Sequence, residues 1–572
     1  MDRILQARIP WVCLVIFAGL LWTRHIDRPI DLPAWHEFDY ASIARNFVTE
    51  GNHILYPRID WRRDGPGFTE MEFPIHPWIT AQIYRISGIN VMDGRLISSF
   101  ASLLSLIVFS RLALYLLPEG AAWTAALFFV ISRETLYVSS AFQPEALMLM
   151  FYLLAAYFFL RWHESGGWWN YITAILSYSS AILVKSPAAH LGFFFLFLAL
   201  KKDSIRAFRR PALWLFAAAS LLPAALWYAH AHSLWNIYHN SMGVSNEDHW
   251  MGLDTFRNPK PFLMLIGIEA VFVFAIGGVV VALLGVVRNK QSRAVQVSLL
   301  WAAAVAIYYL AIIRTAGAYW ASYYHIVAVP AAALLFGVGI QYLRENSRGT
   351  GTIVLGGAMA SIPLVIGLHA VSRRGWLRSQ GLIEDSLAAH LSWFALILLS
   401  AASLLLIILI LKVRESKKPA RDPASLSRAA LLGAGAALAI YLMVSGQLTL
   451  SMWTLYNTRT QDFEATARFA HKIAPGALIV SSGGPCQDAA GHRVAGDAPE
   501  MFYWLDRKGF SLCLERQSIG ELQSFERRGA RYFVAEKSSV RYRPNLEEAL
   551  KQTFPLLAEC PTAWLFELQP KP

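Results

Sequence analysis

The amino-acid sequence predicts a polytopic α-helical membrane protein with about 13 transmembrane helices and a C-terminal extracytoplasmic α/β domain. Its 572 residues are 55% hydrophobic and only 16% charged, and their mean hydropathy is positive. A soluble protein of this length would usually carry more charge and divide into several domains. Many apolar runs here approach the ~20 residues that cross the hydrocarbon of a bilayer, and the longest polar segment follows residue 450.

The first apolar run is expected to be an uncleaved span. Arg3 and Arg8 precede it, as in a signal peptide, but no small-residue cleavage pattern follows Trp22. Further runs of similar character continue along the chain. The predicted spans lie near residues 9–23, 95–117, 120–138, 145–162, 170–185, 188–200, 212–230, 261–287, 296–313, 324–343, 352–371, 388–411 and 429–450.

Basic loops between these runs indicate their orientation, because cytoplasmic loops are rich in Lys and Arg. The clusters lie at residues 201–210, 288–293, 344–348 and 412–428. With the N-terminus in the cytoplasm, all of these loops are cytoplasmic, and only one short basic loop, residues 373–378, goes against the rule. The net charge of +12 is therefore interpreted as a topology signal rather than as a nucleic-acid footprint. An odd number of spans places residues 451–572 outside the cytoplasm.

Residues 451–572 are predicted to form a separate α/β domain, because helix-like and strand-like stretches alternate along them. No nucleotide-binding glycine fingerprint occurs in this segment. Three of the four cysteines of the chain, Cys486, Cys513 and Cys560, lie there. If the domain is extracytoplasmic, one disulfide among the three can form, and the sequence does not determine which pair it joins.

The first extracytoplasmic loop, residues 24–94, carries two acids directly after a span. Glu37 and Asp39 lie where charge is tolerated only if it faces water or a polar cavity. Apolar residues between Tyr40 and Val48 recur at helical spacing, which predicts a helix lying on the membrane surface with its apolar side down. A second helix of this kind is expected over residues 76–86.

The predicted topology brings ionisable and polar residues from several spans to the same extracytoplasmic layer. These residues are Glu145, Lys185, Arg314, Tyr324 and His325. Acids there could act as a general base or as metal ligands, and Lys185 or Arg314 could hold an anionic phosphate. Structural roles are the alternative. Glu37, Asp39 and Glu145 could stabilise helix N-termini, and Lys185 could extend to the membrane interface.

The motif around Glu37 resembles that of a known family. Glu37-x-x-Tyr40-x-x-Ile43-Ala44-Arg45 is similar to the Asp-Glu-x-x-Tyr-x-x-Ile-Ala-Arg element of membrane-embedded GT-C glycosyltransferases, which include protein O-mannosyltransferases and lipid A aminoarabinose transferases. The resemblance implies a catalytic acid in the first loop, a second acid near the fourth span, and a polyprenyl- or dolichyl-phosphate sugar donor. It also implies a GT-C-like transmembrane catalytic domain over residues 1–450, followed by the extracytoplasmic domain over residues 451–572.

The chain departs from the family pattern at two places. His36 occupies the position of the family's first acid, which leaves open whether Glu37 or Asp39 has the catalytic role. Glu72-Phe73-Pro74 stands where the aminoarabinose transferases have Lys-Pro-Pro, and this argues against that particular substrate.

These observations predict a glycosyltransferase of the bacterial cytoplasmic membrane. It would move a hexose or pentose from a polyprenyl-phosphate donor, expected to be undecaprenyl phosphate, to a lipid, glycan or protein acceptor at the outer face. The phosphate is already an activated leaving group, so a general base and a cation suffice. The candidate catalytic residues are Asp39, Glu37 and Glu145, and the candidate substrate-binding residues are His36, Tyr40, Lys185, Arg314, Tyr324 and His325.

Two questions stay open at the level of sequence. No cofactor is certain, and a divalent metal ion is the one candidate, with ligands that the sequence does not assign. The alternative function is a lipid or polysaccharide transporter or flippase. That class favours inverted repeats and charges at the bilayer midplane, whereas the ionisable residues here cluster at one face and no repeat is found.

Overall fold

The computed structural model describes residues 2–23, 26–30, 35–244, 252, 255, 257–274, 277–345, 466–487 and 499–569 of the chain. The last three predicted spans, 352–371, 388–411 and 429–450, lie outside these residues. The predicted domain boundary at residue 450 also lies outside them, so it stays a prediction.

The apolar runs predicted before residue 345 are helical wherever the structure describes them. The helices of this region are α1 (Asp2–Thr23), α2 (Trp35–Thr49), α3 (Ile75–Ser87), α4 (Val91–Leu116), α5 (Glu119–Ile131), α6 (Arg133–Ser139), α7 (Glu145–Ser165), α8 (Trp168–Val184), α9 (Leu191–Asp203), α10 (Pro211–Tyr238), α11 (Lys260–Ile268), α12 (Gly277–Arg288), α13 (Arg293–Ala311), α14 (Ile313–Ala316) and α15 (Val329–Glu345). Five helical segments in the described part of the chain are long and apolar enough to cross a membrane: Val91–Leu116, Glu145–Ser165, Pro211–Tyr238, Arg293–Ala311 and Ala321–Tyr342. The total of about 13 spans stays a prediction.

Two predicted spans are divided in the structure. The run 120–138 forms α5 and α6, and the run 261–287 contains a π-helical turn, Glu269–Val273, after α11. These two breaks contact each other, because the Arg133 guanidinium lies 3.5 Å from the centre of the Phe272 ring. Insertions of this kind relax a helix locally and often accompany functional sites. Hydrophobic runs alone give no sign of such breaks.

Close helix packing in the bundle depends on small residues. α7 packs against α4 and α8, and α15 packs against α5, α12 and α13. Where α12 crosses α15, a Cβ atom added at Gly339 would lie 2.1 Å from the Val281 carbonyl oxygen. Glycine at this position therefore lets the two backbones approach, as is common between helices in membranes.

The described part of the C-terminal segment contains a five-stranded sheet. Its elements are β1 (Leu478–Ser482), α16 (Pro499–Leu505), β2 (Lys508–Leu512), α17 (Ile519–Arg527), β3 (Ala530–Glu536), α18 (Lys537–Arg541), α19 (Leu546–Thr553), β4 (Leu556–Glu559) and β5 (Ala563–Glu567). The strand order is β2-β1-β3-β5-β4; β1 is parallel to β2 and β3, and β5 is antiparallel to β3 and β4. The predicted alternation of helix and strand is present, and β2 is an edge strand.

The disulfide left open by the sequence joins Cys486 and Cys513. It links the segment after β1 to the residue that follows β2, so it ties the ends of two neighbouring parallel strands. Cys560 is a free thiol.

The helix α2 has a different environment from the one that its sequence pattern predicts. Residues 36–47 are all buried, and α2 packs against α3 and against α16 of the C-terminal sheet domain. The helix therefore lies inside the protein rather than with one face on lipid. An amphipathic pattern predicts an apolar partner for one face, and it does not distinguish a protein partner from a membrane.

A buried ion pair fixes α2 to α4. The Nε atom of Arg95 donates a 2.9 Å hydrogen bond to Glu37 Oε2, and both side chains are completely buried. The other N–H groups of Arg95 donate to the backbone carbonyls of Ile26, Arg28 and Pro29, and the Arg28 guanidinium lies 3.4 Å from Glu37 Oε1. A buried guanidinium is stable only when its N–H groups have hydrogen-bond acceptors and its charge has a carboxylate partner. Glu37 is therefore an integral part of the fold.

We expect Glu37→Gln to destabilise the protein, because it leaves Arg95 buried without its carboxylate. The loss in free energy of unfolding should be about 3–5 kcal/mol, measured by denaturation in detergent micelles. The matched control is Glu164→Gln, which breaks a pair with Arg293 whose side chains are 30% and 44% exposed. That change should cost less than about 1 kcal/mol. Equal stability of the two variants would contradict this role of Glu37.

Candidate active site

A buried ammonium group lies at the centre of the candidate site. Lys185 directly follows the last residue of α8, and only 3% of its surface is exposed. Its Nζ atom lies 2.7 Å from Glu72 Oε1 and 3.1 Å from Glu145 Oε1. A buried charge is costly unless it is paired, and this one has two carboxylate partners from distant parts of the chain. The structure therefore joins Lys185 and Glu145, as the predicted layer of ionisable residues requires.

The two carboxylate oxygens of Glu145 have different environments. It is the first residue of α7, where the helix dipole favours an acid. Its side chain turns to Lys185, and its Oε2 atom is buried without a hydrogen-bond partner among the described residues. A buried acceptor without a partner is unfavourable, and in a polar cluster it indicates a place for a ligand group.

Two tyrosines complete the surroundings of Lys185. The Tyr40 hydroxyl of α2 donates a 3.1 Å hydrogen bond to Glu72 Oε2. Burial raises the pKa of Tyr40 well above its usual value, and the neighbouring Glu72 charge raises it further, so the hydroxyl keeps its proton. Lys185 Nζ lies 5.9 Å from the centre of the Tyr324 ring, within the range of a cation–π contact.

His36 extends the cluster along α2. Its Nε2 atom lies 2.8 Å from the hydroxyl of Tyr323, the residue before Tyr324. The rings of His36 and Tyr40 have centres 6.5 Å apart on the same helix. The predicted binding residues His36, Tyr40, Lys185 and Tyr324 are thus brought into one neighbourhood.

The two acids of the first loop have separate environments. Glu37 and Asp39 are two residues apart in α2, which turns their side chains roughly 200° around the helix axis. Glu37 pairs with Arg28 and Arg95, whereas Asp39 accepts a 2.9 Å hydrogen bond from the indole Nε1 of Trp61. Both acids are buried. The structure does not bring the two acids together at one point.

Arg314 and His325 belong to a second polar cluster. The Arg314 Nε donates a 3.3 Å hydrogen bond to Thr255 Oγ1. His325 Nδ1 lies 2.6 Å from Glu269 Oε1, and its Nε2 lies 2.9 Å from the Ala316 carbonyl oxygen. His325 is thus bonded to the π-helical turn and to α14, and Arg314 to a residue that precedes α11 in the chain, so these contacts do not bring the two to Lys185.

The structure offers one group of three potential metal ligands within the residues that it describes. These are Cys486, Cys513 and Glu515. The two cysteines form the disulfide, which removes both thiolates as ligands. This group therefore does not fit a metal ion in the oxidised protein.

Sequence reasoning missed several participants. In the sequence, Glu72 stands out only as a departure from a family element. In the structure it is the closer of the two ion-pair partners of Lys185. Arg95 and Trp61 contact Glu37 and Asp39, respectively, but lie far from them in the sequence. No rule of residue spacing predicts these contacts. Only Arg95 gives a signal in the sequence, because an arginine inside an apolar run requires a carboxylate partner.

Part of the chain matches a known protein family. Residues 66–229, which include Glu72, Glu145 and Lys185, match the model of the family described as dolichyl-phosphate-mannose-protein mannosyltransferase. A sequence search of curated proteins gives no match.

The fold is also similar to solved structures. The chain is similar to ArnT from Cupriavidus metallidurans bound to undecaprenyl phosphate, with a TM-score of 0.63, 16% identity, and 98% of each chain covered. For the apo state of the same ArnT the TM-score is 0.64, with 16% identity and 98% of each chain covered. The family-model match and the shared fold together confirm the resemblance to GT-C membrane glycosyltransferases that the α2 motif indicates.

Proposed function

We propose that this protein is a glycosyltransferase that moves a sugar from a polyprenyl-phosphate donor to an acceptor hydroxyl at the outer face of the bacterial cytoplasmic membrane. The observation that carries the proposal is the buried Lys185 ammonium, held between Glu72 and Glu145 within the segment that matches the mannosyltransferase family. The undecaprenyl phosphate bound to the structurally similar ArnT supports a donor of that class.

Lys185 is the group that receives the leaving phosphate in this proposal. The bond between the sugar anomeric carbon and the phosphate oxygen breaks, and negative charge increases on the phosphate. An ammonium fixed beforehand by two carboxylates stabilises that charge without reorganisation during the reaction. Charge-assisted hydrogen bonds to phosphate are among the strong ones in proteins.

The acceptor side of the reaction is assigned to the acids. Asp39 acts as the general base and takes the proton of the acceptor hydroxyl as its oxygen bonds to the anomeric carbon. Glu145 positions Lys185 through Oε1 and orients the hydroxyl through Oε2. Glu37 is assigned a structural role, since two arginines already neutralise it. Mass spectrometry of envelope lipids and glycans from a deletion strain and its complemented parent should identify the acceptor class, whether lipid, glycan or protein. The same comparison should identify the donor sugar as a hexose or a pentose.

We expect Glu145→Gln to lower kcat by about 10², because Lys185 loses one of its two carboxylate partners and the acceptor hydroxyl loses its orienting group. The assay is transfer from a panel of undecaprenyl-phosphate hexoses and pentoses to membranes of a deletion strain, followed as released undecaprenyl phosphate. Glu164→Gln, at the opposite end of the same helix and also in an ion pair, is the matched control and should keep its rate. A wild-type rate for the Glu145 variant would reduce this acid to a helix-terminal residue.

Lys185→Ala should raise the KM for the donor and lower kcat by about 10², because the departing phosphate loses its fixed cation. Lys201→Ala makes the same change at an exposed lysine near the end of α9 and should leave both constants unchanged. An unchanged donor KM and kcat for the Lys185 variant would remove the phosphate from this position.

The orientation has its own test. A reporter fused after Pro572 should be active only outside the cytoplasm, and one inserted between Lys417 and Arg428 only inside, as the basic loops require. The disulfide between Cys486 and Cys513 supports the same orientation, because such bonds persist in oxidising compartments. Cytoplasmic activity of the Pro572 fusion would overturn the orientation and with it the outer-face location of the site.

A further inference from the structure

A loop between α2 and α3 reaches from the candidate site to the C-terminal sheet. Residues 57–69 fold back on themselves as a hairpin, with an antiparallel bridge between Arg58 and Phe68. The Ile59 amide donates to the Gly67 carbonyl at 3.0 Å, and this pair closes the loop. The tip of the hairpin, residues 60–66, is thereby held as a defined structure.

The tip pairs with the edge of the C-terminal sheet. The Gly509 amide of β2 donates to the Asp60 carbonyl at 3.1 Å, and the Arg63 amide donates to the Gly509 carbonyl at 2.7 Å. An edge strand has free backbone groups for such pairing. Gly509 has a φ of 151°, and a Cβ atom there would lie 1.9 Å from the Ile479 carbonyl oxygen. Glycine is therefore required here by the close approach of β1 to β2, and the backbone of the same residue pairs with the hairpin tip on the other side.

Charged side chains lock the same junction. Asp60 is buried and accepts hydrogen bonds from Arg45 at 2.6 Å, from Asn46 at 2.8 Å and from Lys508 of β2. Burial alone would raise the pKa of Asp60, but the charges of Arg45 and Lys508 lower it to about 2. Arg45 also donates to the backbone carbonyl of Tyr503 in α16 at 3.1 Å. The arginine of the family motif thus binds α2 to the C-terminal domain.

Trp61 lies between the two backbone hydrogen bonds to Gly509. Its ring packs against two apolar clusters, one formed by α2 and α3 and the other on the face of the sheet that contains α16. Its indole Nε1 donates the 2.9 Å hydrogen bond to Asp39 Oδ1. The edge strand, the hairpin tip and the acid are therefore linked through one side chain.

We infer that Trp61 is a positioning residue through which the C-terminal domain holds Asp39 in its reactive orientation. The inference rests on the proposed function, in which Asp39 is the general base. A hydrogen bond to one carboxylate oxygen fixes the direction of the other, and small errors in the placement of a catalytic group cost large factors in rate. The C-terminal domain thus contributes to the chemistry without supplying a reacting group.

The mechanical link is tested without any substrate. Gly509→Ala should increase amide hydrogen exchange in residues 57–69 and in α2 of the full-length protein, because the added Cβ atom clashes with β1 and displaces the strand edge that pairs with the hairpin tip. Trp61→Phe keeps an aromatic ring and should increase exchange in α2 alone. The matched control is Trp78→Phe, whose indole donates to the Asn52 carbonyl at 3.4 Å in the same apolar cluster. Unchanged exchange in α2 for both test variants would overturn the link.

The catalytic consequence is tested by a double-mutant cycle in the transfer assay. Trp61→Phe should lower kcat by about tenfold with an unchanged donor KM, and it should have no further effect in the Asp39→Asn background. Trp78→Phe should leave the rate unchanged in both backgrounds. Independent effects that multiply would show that Trp61 acts as a merely structural residue, which contradicts the inference.

The two proposals fail in different ways. A wild-type rate for Asp39→Asn would overturn both the assignment of the base and the role of Trp61. An inactive Asp39→Asn together with a fully active Trp61→Phe would overturn only the inference. Altered exchange in α2 with no transfer from any donor of the panel would leave the link intact and refute the glycosyltransferase function.

Discussion

The arrangement of the candidate site depends on one buried ammonium group, that of Lys185. Lys185 is removed from water, and its charge is acceptable only because Glu72 and Glu145 approach within hydrogen-bonding distance. To supply these partners, the segment before α3, the start of α7 and the end of α8 must converge. Tyr40 then joins α2 to the same point through Glu72. The local geometry of four chain segments thus follows from the need to satisfy a single charge.

The architecture was largely accessible from the sequence, because it depends on local patterns. Apolar runs of membrane length predict helices, and alternation of helix-like and strand-like stretches predicts the C-terminal sheet. Both are periodic properties of neighbouring residues. The breaks at α5–α6 and at the π-helical turn were not accessible from apolar runs alone, and the contact between Arg133 and Phe272 that joins them exists only in the folded chain.

The sequence predicts residues that contribute to the candidate site, but it does not predict which side chains pair with each other. Hydropathy and the positive-inside rule predict Glu145 and Lys185 in one layer, and in the structure the two side chains form an ion pair. These sequence signals do not reveal that Glu37 is neutralised by Arg95, or that Asp39 faces Trp61. Two acids separated by one residue look equivalent in a sequence. Helix geometry turns them to opposite sides, and their partners then give them different environments.

The pairing of the hairpin tip with β2 has a consequence for biosynthesis. The candidate acids lie in α2, whereas β2, the strand that supports this helix, begins only at Lys508, so the ribosome makes the helix well before its support. A nascent protein in which α2 has already formed still lacks this support until the C-terminal sheet has been synthesised and has folded. Premature termination before β2 should therefore yield molecules in which α2 lacks its support, so the folding of the sheet is a late step on which the geometry around α2 depends.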